Sequence, residues 1–99
     1  MAYARKRDSS EKAIFDALVK AGCDVERGTD CDLYVRVPAG YRYLSIWTEA
    51  HAFMLECKTP GPNAKRRQPI QLRLQAIFGD RYRVVSTASE ALIAVGLVP

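Results

Sequence analysis

The stretch that decides the fold is Ala52-Phe53-Met54-Leu55-Glu56-Cys57-Lys58, in which an apolar run ends in a carboxylate and an ammonium group. In an extended strand successive side chains point to opposite faces, so Glu56 and Lys58 share one face and Cys57 points the other way. Two opposite charges side by side can form a solvated ion pair on the outer face of a sheet, which contributes little to stability. The alternative is a functional pair at the end of a buried strand.

A second acidic segment favours the functional alternative. Gly28-Thr29-Asp30-Cys31-Asp32 leads directly into Leu33-Tyr34-Val35-Arg36-Val37, whose alternating aliphatic residues predict a strand that begins at an acidic residue. An aspartate that opens one strand and a Glu-x-Lys that ends another can meet at one edge of a sheet. Two carboxylates with a lysine beside them form a hard-oxygen site for one divalent cation, and the lysine can hold or deprotonate a nearby water.

Size and composition bound the function. The 99 residues predict one domain, residues 1–99, with one modest core. A chain with 48% hydrophobic and 26% charged residues, no 18-residue apolar run and no signal-peptide pattern is expected to be a soluble cytoplasmic protein without a membrane partner. A net charge of +4 fits a polyanionic partner without requiring one.

The cysteine pattern argues against two other classes of site. There are three cysteines, no Cys-x-x-Cys spacing, and only His51 as a further candidate ligand of the same type. These features argue against both a disulfide framework and a zinc site. We predict reduced, mostly buried thiols at Cys23, Cys31 and Cys57, and no organic cofactor.

Periodicity and end signals predict the remaining elements. The predicted order is α-β-β-β-β-α-β-α, an α/β layout in which a mixed sheet is flanked by helices. A capping box is expected at Thr87-Ala88-Ser89-Glu90. The first segments are a helix that is introduced by Asp8-Ser9-Ser10-Glu11 and stops at Gly22, an edge strand over 24–27, a strand over 33–37, and a hairpin turn at 38–40 into a strand over 41–47. They are followed by the strand ending at Lys58, a helix from Pro69 to Gly79-Asp80, a strand over 82–86, and a helix to Gly96.

Three features of the sequence each allow two interpretations. Glu11 follows Asp8 by three residues, so it is expected to complete an N-terminal capping box. The alternative is a carboxylate that lies behind the ligands of a metal and supports them. Tyr43 and Trp47 are expected to fill the sheet core rather than to stack on bases. The run Lys65-Arg66-Arg67 is either a solvated surface or a phosphate contact, and with Arg73 it is the candidate DNA-binding surface.

Nearly the whole chain resembles the VRR-NUC family of the PD-(D/E)XK nuclease superfamily, especially its small stand-alone members from bacteriophages and prophages. The resemblance rests on the order and spacing of several motifs rather than on any one of them. They are Ala21-Gly22-Cys23-Asp24-Val25 after the first helix, Asp32-Leu33-Tyr34-Val35, Leu55-Glu56-Cys57-Lys58, Gln68-Pro69-Ile70-Gln71, and the segment Val84 to Leu92.

This resemblance implies a restriction-endonuclease-like fold and metal-dependent hydrolysis of phosphodiester bonds in DNA. It implies that Asp32, Glu56 and the main-chain carbonyl of Cys57 bind Mg²⁺ or Mn²⁺, and that Lys58 orients the attacking water. It also implies that Gln71 hydrogen-bonds near the lysine or the water, with Gln68 as a weaker candidate for this role. The structural alternative is that Gln71 is a residue of the first helical turn that satisfies its own backbone.

Two departures from the family pattern bear on the site. Cys31 replaces the proline that precedes the first aspartate, and the gap between Asp32 and Glu56 is long, which an extra hairpin over 37–47 would explain. Asp30 is one pleat away from Asp32, so either could be the ligand. We favour Asp32 because it directly precedes Leu33-Tyr34-Val35.

Relatives of this kind are dimers associated with branched DNA, which implies a homodimer that resolves four-way (Holliday) junctions. The strand over 41–47 is a candidate dimer surface. One alternative is a nicking or flap-directed nuclease of the same fold. Another is a non-catalytic nucleic-acid-binding module in which Glu56 and Lys58 form a structural ion pair.

Overall fold

The elements follow the predicted order with one strand more. The structure, a computed structural model, describes residues 10–29, 31–42, 45–58 and 69–98. In chain order the elements are α1 (Ser10–Lys20), β1 (Asp24–Arg27), β2 (Leu33–Val37), β3 (Gly40–Arg42), β4 (Ile46–Thr48), β5 (His51–Cys57), α2 (Pro69–Phe78), a 3-10 turn (Gly79–Arg81), β6 (Tyr82–Val85) and α3 (Ala88–Ala94).

The main sheet is mixed, which confirms the predicted α/β class. Its strand order is β1-β2-β5-β6. β1, β2 and β5 are antiparallel neighbours, whereas β6 runs parallel to β5 and is reached through α2. A parallel pair needs such a crossover connection, because a tight turn reverses the chain. β1 lies at the edge of the sheet, as predicted.

Alternation along the strands sends side chains to two separate layers. On one face Leu33, Val35, Leu55 and Cys57 pack with α1 and α3 in the larger core. On the other face Tyr34 and Met54 pack around Leu74 of α2. This confirms the prediction that Leu55 and Cys57 lie on the same face of β5.

The prediction of a single strand over 41–47 is wrong. Residues 40–48 form a separate two-stranded ribbon, in which β3 pairs with β4 through Gly40↔Thr48 and Arg42↔Ile46. The physical reason is that β2 already pairs with β1 on one side and with β5 on the other, so no edge of β2 is left for this segment. Ser45, with φ of 64°, lies where the ribbon reverses. This ribbon lies in the chain between Asp32 and Glu56, where a hairpin was expected.

The prediction that the hairpin aromatics fill the core is also wrong for Trp47, while Tyr43 lies outside the described residues. Trp47 is 53% exposed, and its ring contacts the exposed Tyr41 edge-on at a centroid distance of 5.1 Å. The ribbon is not part of the main sheet, so Trp47 packs against Tyr41 rather than in the sheet core.

The predicted apolar stripe of α2 is only partly buried. Leu74 is in the core, but Ile77 and Phe78 are exposed, as is Leu72. One helix over a sheet face can bury only the side chains that point at that sheet. α2 therefore presents apolar surface outward.

Helix ends follow the predicted signals. Gly22, with φ of 98°, ends α1, and the N–H of Cys23 donates to the carbonyl of Leu18 at 3.0 Å. At the start of α3, the hydroxyl oxygen of Thr87 accepts from the N–H of Glu90 at 3.1 Å, which confirms the N-cap half of the predicted capping box. The carboxylate of Glu90 accepts from the N–H of Ser86 instead of that of Thr87. In the described ranges, no helix has the length and apolar character needed to cross a membrane.

Candidate metal centre

A tight loop places Asp32 at the start of β2. The N–H of Gly28 donates to the carbonyl of Asp32 at 3.0 Å, which closes the loop over residues 28–32. A Cβ atom on Gly28 would lie 2.7 Å from the carbonyl oxygen of Cys31, closer than such atoms can approach. Glycine is therefore required here because the backbone of the loop passes close to it.

The sheet register brings Asp32 close to the end of β5. β2 and β5 pair through Leu33↔Leu55, so Asp32 directly precedes one member of this pair and Glu56 directly follows the other. Oδ2 of Asp32 accepts a hydrogen bond from the backbone N–H of Cys57 at 2.7 Å. Glu56 is 2% exposed and Asp32 is 6% exposed. Two buried carboxylates from different strands thus lie at one end of the sheet.

Glu11 comes to the same place from α1. One of its carboxylate oxygens, a carboxylate oxygen of Asp32 and the Sγ atom of Cys57 all lie within 4.8 Å of one another. Glu11 is 2% exposed, and Nε of Arg27 donates to its Oε2 at 3.2 Å. The capping partner expected for Glu11, Asp8, lies outside the described residues.

Burial of these acids has an electrostatic consequence. Taking a carboxylate out of water costs several kcal/mol in effect unless a cation or hydrogen-bond donors compensate it. The guanidinium of Arg27 and the backbone N–H of Cys57 provide part of that compensation for Glu11 and Asp32. A divalent cation among the same oxygens would provide more, and carboxylate oxygens are the ligands that Mg²⁺ and Mn²⁺ prefer.

Lys58 stands at the end of β5. Its N–H donates to the carbonyl of Val85 at 2.9 Å, which extends the pairing of β5 with β6 by one residue. The ion pairs between described side chains do not include Lys58. Because Glu56 is buried, the interpretation of the two residues as a solvated surface pair is wrong.

Gln71 lies in the first turn of α2 and is buried. α2 covers the sheet face that holds Met54, and Glu56 shares that face by alternation along β5. The helix therefore brings a buried amide to the layer in which Glu56 lies.

The proposed DNA contacts are mostly outside the described residues. Arg73 is exposed on α2. Lys65, Arg66 and Arg67, together with Gln68 and Asp30, lie outside the described ranges. Of the two candidate aspartates, the structure thus describes Asp32, the one that precedes β2.

The thiol of Cys57 was not foreseen as part of this centre, for which only its main-chain carbonyl was expected. The sequence does contain a signal, since alternation puts the Cys57 side chain on the face opposite Glu56, and α1 packs on that face. The missing information was that Glu11 would be buried on the same side.

Glu11, Asp32 and the thiol of Cys57 together can hold a divalent cation, and Glu56 and Lys58 flank Cys57 at the same end of β5. No family model, characterised protein or solved structure matches this chain. The functional assignment therefore depends on the geometry of the centre.

Proposed function

We propose that this protein is a metal-dependent DNA endonuclease that hydrolyses phosphodiester bonds at the centre formed by Asp32, Glu56 and Lys58. The observation that carries the proposal is the burial of three acids near one end of the main sheet: Glu11 and Asp32 each have a carboxylate oxygen within 4.8 Å of the Cys57 thiol, and Glu56 is the residue before Cys57 in β5. Buried acids are weak evidence of a purely stabilising role, because replacing buried ion pairs by apolar residues of similar volume is often neutral or stabilising.

The topology supports a restriction-endonuclease-like fold. One helix precedes three antiparallel strands, and a second helix crosses over to a strand parallel to the third. This is the arrangement that the motif order implies, with the acidic residues at the start of β2 and near the end of β5. The β3-β4 ribbon is an insertion between these two strands.

The donor set fits Mg²⁺ or Mn²⁺. Asp32 and Glu56 would hold the cation together with the main-chain carbonyl of Cys57, while Glu11 would act from the α1 side as a further ligand or through a bound water. When bound, such a cation lowers the pKa of a water and neutralises charge on the scissile phosphate.

The chain's own side chains would align the reaction. Lys58, fixed at the end of β5 by its backbone hydrogen bond to Val85, would orient the attacking water and offset the negative charge that develops on the phosphate. Gln71 would hydrogen-bond near that water or lysine. Arg27 would hold the Glu11 carboxylate in its orientation.

For the substrate we propose branched DNA, cut by a homodimer. The positive net charge and the exposed Arg73 favour a phosphate backbone as partner, with Lys65, Arg66 and Arg67 as further contacts. A two-fold dimer presents two identical centres, which could cut opposite strands of a four-way junction. A flap or nicking nuclease would use the same centre.

The test is cleavage of labelled four-way junction, flap and linear duplex DNA by the purified protein in Mg²⁺, in Mn²⁺ and in chelator. We expect symmetric cuts in the junction that require the metal. Glu56→Gln and Asp32→Asn should each lower the cleavage rate at least about 100-fold, since even residues behind a metal ligand cost up to that amount.

Glu49→Gln is the matched control, because Glu49 is an exposed acid on the loop before β5. It should cleave like the wild type. DNA binding without cleavage in every metal would instead indicate the non-catalytic module, and cleavage that survives both substitutions would place the active centre elsewhere.

A further inference from the structure

A polar cavity lies near the start of β5, away from the proposed metal centre. It has a volume of about 410 Å³ and an apolar wall formed by side chains of β5 and of the end of α3. The polar and charged residues that line it are Arg42, Thr48, His51, Asp80, Arg81 and Arg83.

This cavity is separate from the proposed metal centre. His51 begins β5 and Glu56 lies five residues further along, which corresponds to about 17 Å in an extended strand. Arg83 also lines the cavity and pairs with Leu55, the neighbour of Glu56, but Leu55 and Glu56 point to opposite faces of the sheet. Neither of the acids Glu11 and Asp32 lines the cavity. A ligand held there would not occupy the position of the scissile phosphate.

The three arginines of the cavity are not neutralised by described carboxylates. The ion pairs between described side chains involve Lys12, Arg27 and Arg36, and none involves Arg42, Arg81 or Arg83. Asp80 is the acidic residue in the lining, and it forms no ion pair with its arginine neighbours. The cavity therefore concentrates positive charge.

Two of these arginines are positioned before any ligand binds. The guanidinium of Arg42 donates to the carbonyl of Pro38 at 2.7 Å and to that of Tyr41 at 3.2 Å. The guanidinium of Arg81 lies over the ring of Phe53, 5.1 Å from its centroid. The charge of Arg42 also reaches Cys23: burial raises the pKa of that thiol, and the positive charge of Arg42 offsets part of the rise. Side chains already held in place lose less freedom when they bind.

We propose that this cavity binds the phosphate group of a phosphate ester. Guanidinium groups present planar arrays of donors that match phosphate oxygens, and several arginines around one cavity favour a multiply charged anion. The hydroxyl of Thr48 adds a neutral donor, and the apolar wall suits the sugar or base attached to the phosphate. The phosphate could belong to the DNA backbone, in which case the inference rests on the proposed function, or to a free nucleotide.

The test compares Arg83→Gln with Lys20→Gln. Arg83 is exposed in the cavity lining, and Lys20 is an exposed cation at the end of α1, so both variants lose one charge from the surface. Binding of duplex DNA is followed by fluorescence anisotropy and binding of sodium pyrophosphate by calorimetry. Both are measured in chelator, so that the result does not depend on cleavage.

We expect Arg83→Gln to weaken binding about tenfold, the loss typical of one charge-assisted hydrogen bond, and Lys20→Gln to change it less than twofold. For DNA the slope of log affinity against log salt should fall by about 0.9 in magnitude. Asp80→Asn should strengthen binding because it removes a negative charge from the lining. Arg83→Lys keeps the charge but lacks the planar donor array, so its affinity should lie between those of the wild type and Arg83→Gln.

The two probes separate the sources of the phosphate. Loss for DNA alone assigns the cavity to the backbone of a long substrate, and loss for pyrophosphate as well assigns it to a free phosphate ester. Equal effects of Arg83→Gln and Lys20→Gln, or no effect of either, would overturn the inference. Either result leaves the nuclease proposal intact, since that proposal depends on cleavage at the other end of the sheet.

Discussion

At the scale of single residues, the sequence predicts the positions of some acids of the site but not of others. Asp32 and Glu56 could be paired because each stands at the end of a strand with clear alternation. Glu11 could not be assigned, because its spacing from Asp8 is also that of a helix cap. Its burial depends on how α1 docks on the sheet, which is tertiary information that no local pattern contains.

Glu11→Gln should lower the rate of DNA cleavage by about 10- to 100-fold, the range for residues that support a metal ligand. The amide keeps the shape of the side chain but removes the charge that lies near Asp32 and Cys57. The measurement is the single-turnover cleavage rate at saturating Mg²⁺. Asp16→Asn, on an exposed acid of the same helix that pairs with Lys12, is the control.

An unchanged rate in Glu11→Gln would show that Glu11 is structural. A loss of rate equal to that of Asp16→Asn would point to a general effect of charge on α1 rather than to a contact at the centre.

At the scale of elements, alternation and end signals predicted the three helices and most strands, because these depend on neighbours in sequence. They failed over 40–48, since alternation identifies a strand without identifying its partner. The prediction of one strand there overlooked that β2 has both edges occupied. The same limit explains α2, whose spacing showed an apolar stripe but not how much of it the sheet would cover.

Thr87→Ala should lower the free energy of unfolding by about 1 kcal/mol, the usual loss for a helix N-cap. The hydroxyl of Thr87 accepts from the N–H of Glu90, and the carboxylate of Glu90 accepts from the N–H of Ser86 at 2.7 Å. Urea denaturation measures the change. Ser89→Ala, at an exposed position of the same turn, is the control.

Thr87→Ser should retain most of the stability, because it keeps the accepting oxygen. If Thr87→Ala and Ser89→Ala are equally stable, the cap does not contribute, and α3 is held by its packing in the core alone.

At the scale of the whole molecule, the described surface contains an apolar region that the monomer leaves exposed. It lies on the β3-β4 ribbon and consists of Tyr41, Ile46 and Trp47. Exposed apolar groups that lie together often mark an interface. The ribbon is also the segment from which a dimer surface was expected.

Ile46→Lys should shift a homodimer toward monomer, because it would bury an ammonium group in the proposed interface. Sedimentation velocity over a range of protein concentrations measures the association. Val19→Lys is the matched control, since Val19 is a similarly exposed aliphatic residue on α1. A wild-type monomer at all concentrations, or equal effects of the two substitutions, would remove the ribbon as the dimer surface.

The most direct test of the metal centre is Mn²⁺ binding to the wild type, followed by loss of the free-ion signal in electron paramagnetic resonance. We expect the wild type to bind Mn²⁺, and Asp32→Asn and Glu56→Gln each to weaken binding at least about tenfold. Glu49→Gln, on an exposed acid, should bind like the wild type. A wild type that leaves Mn²⁺ free, or variants that bind it equally well, would contradict the assignment of the buried acids as a metal site.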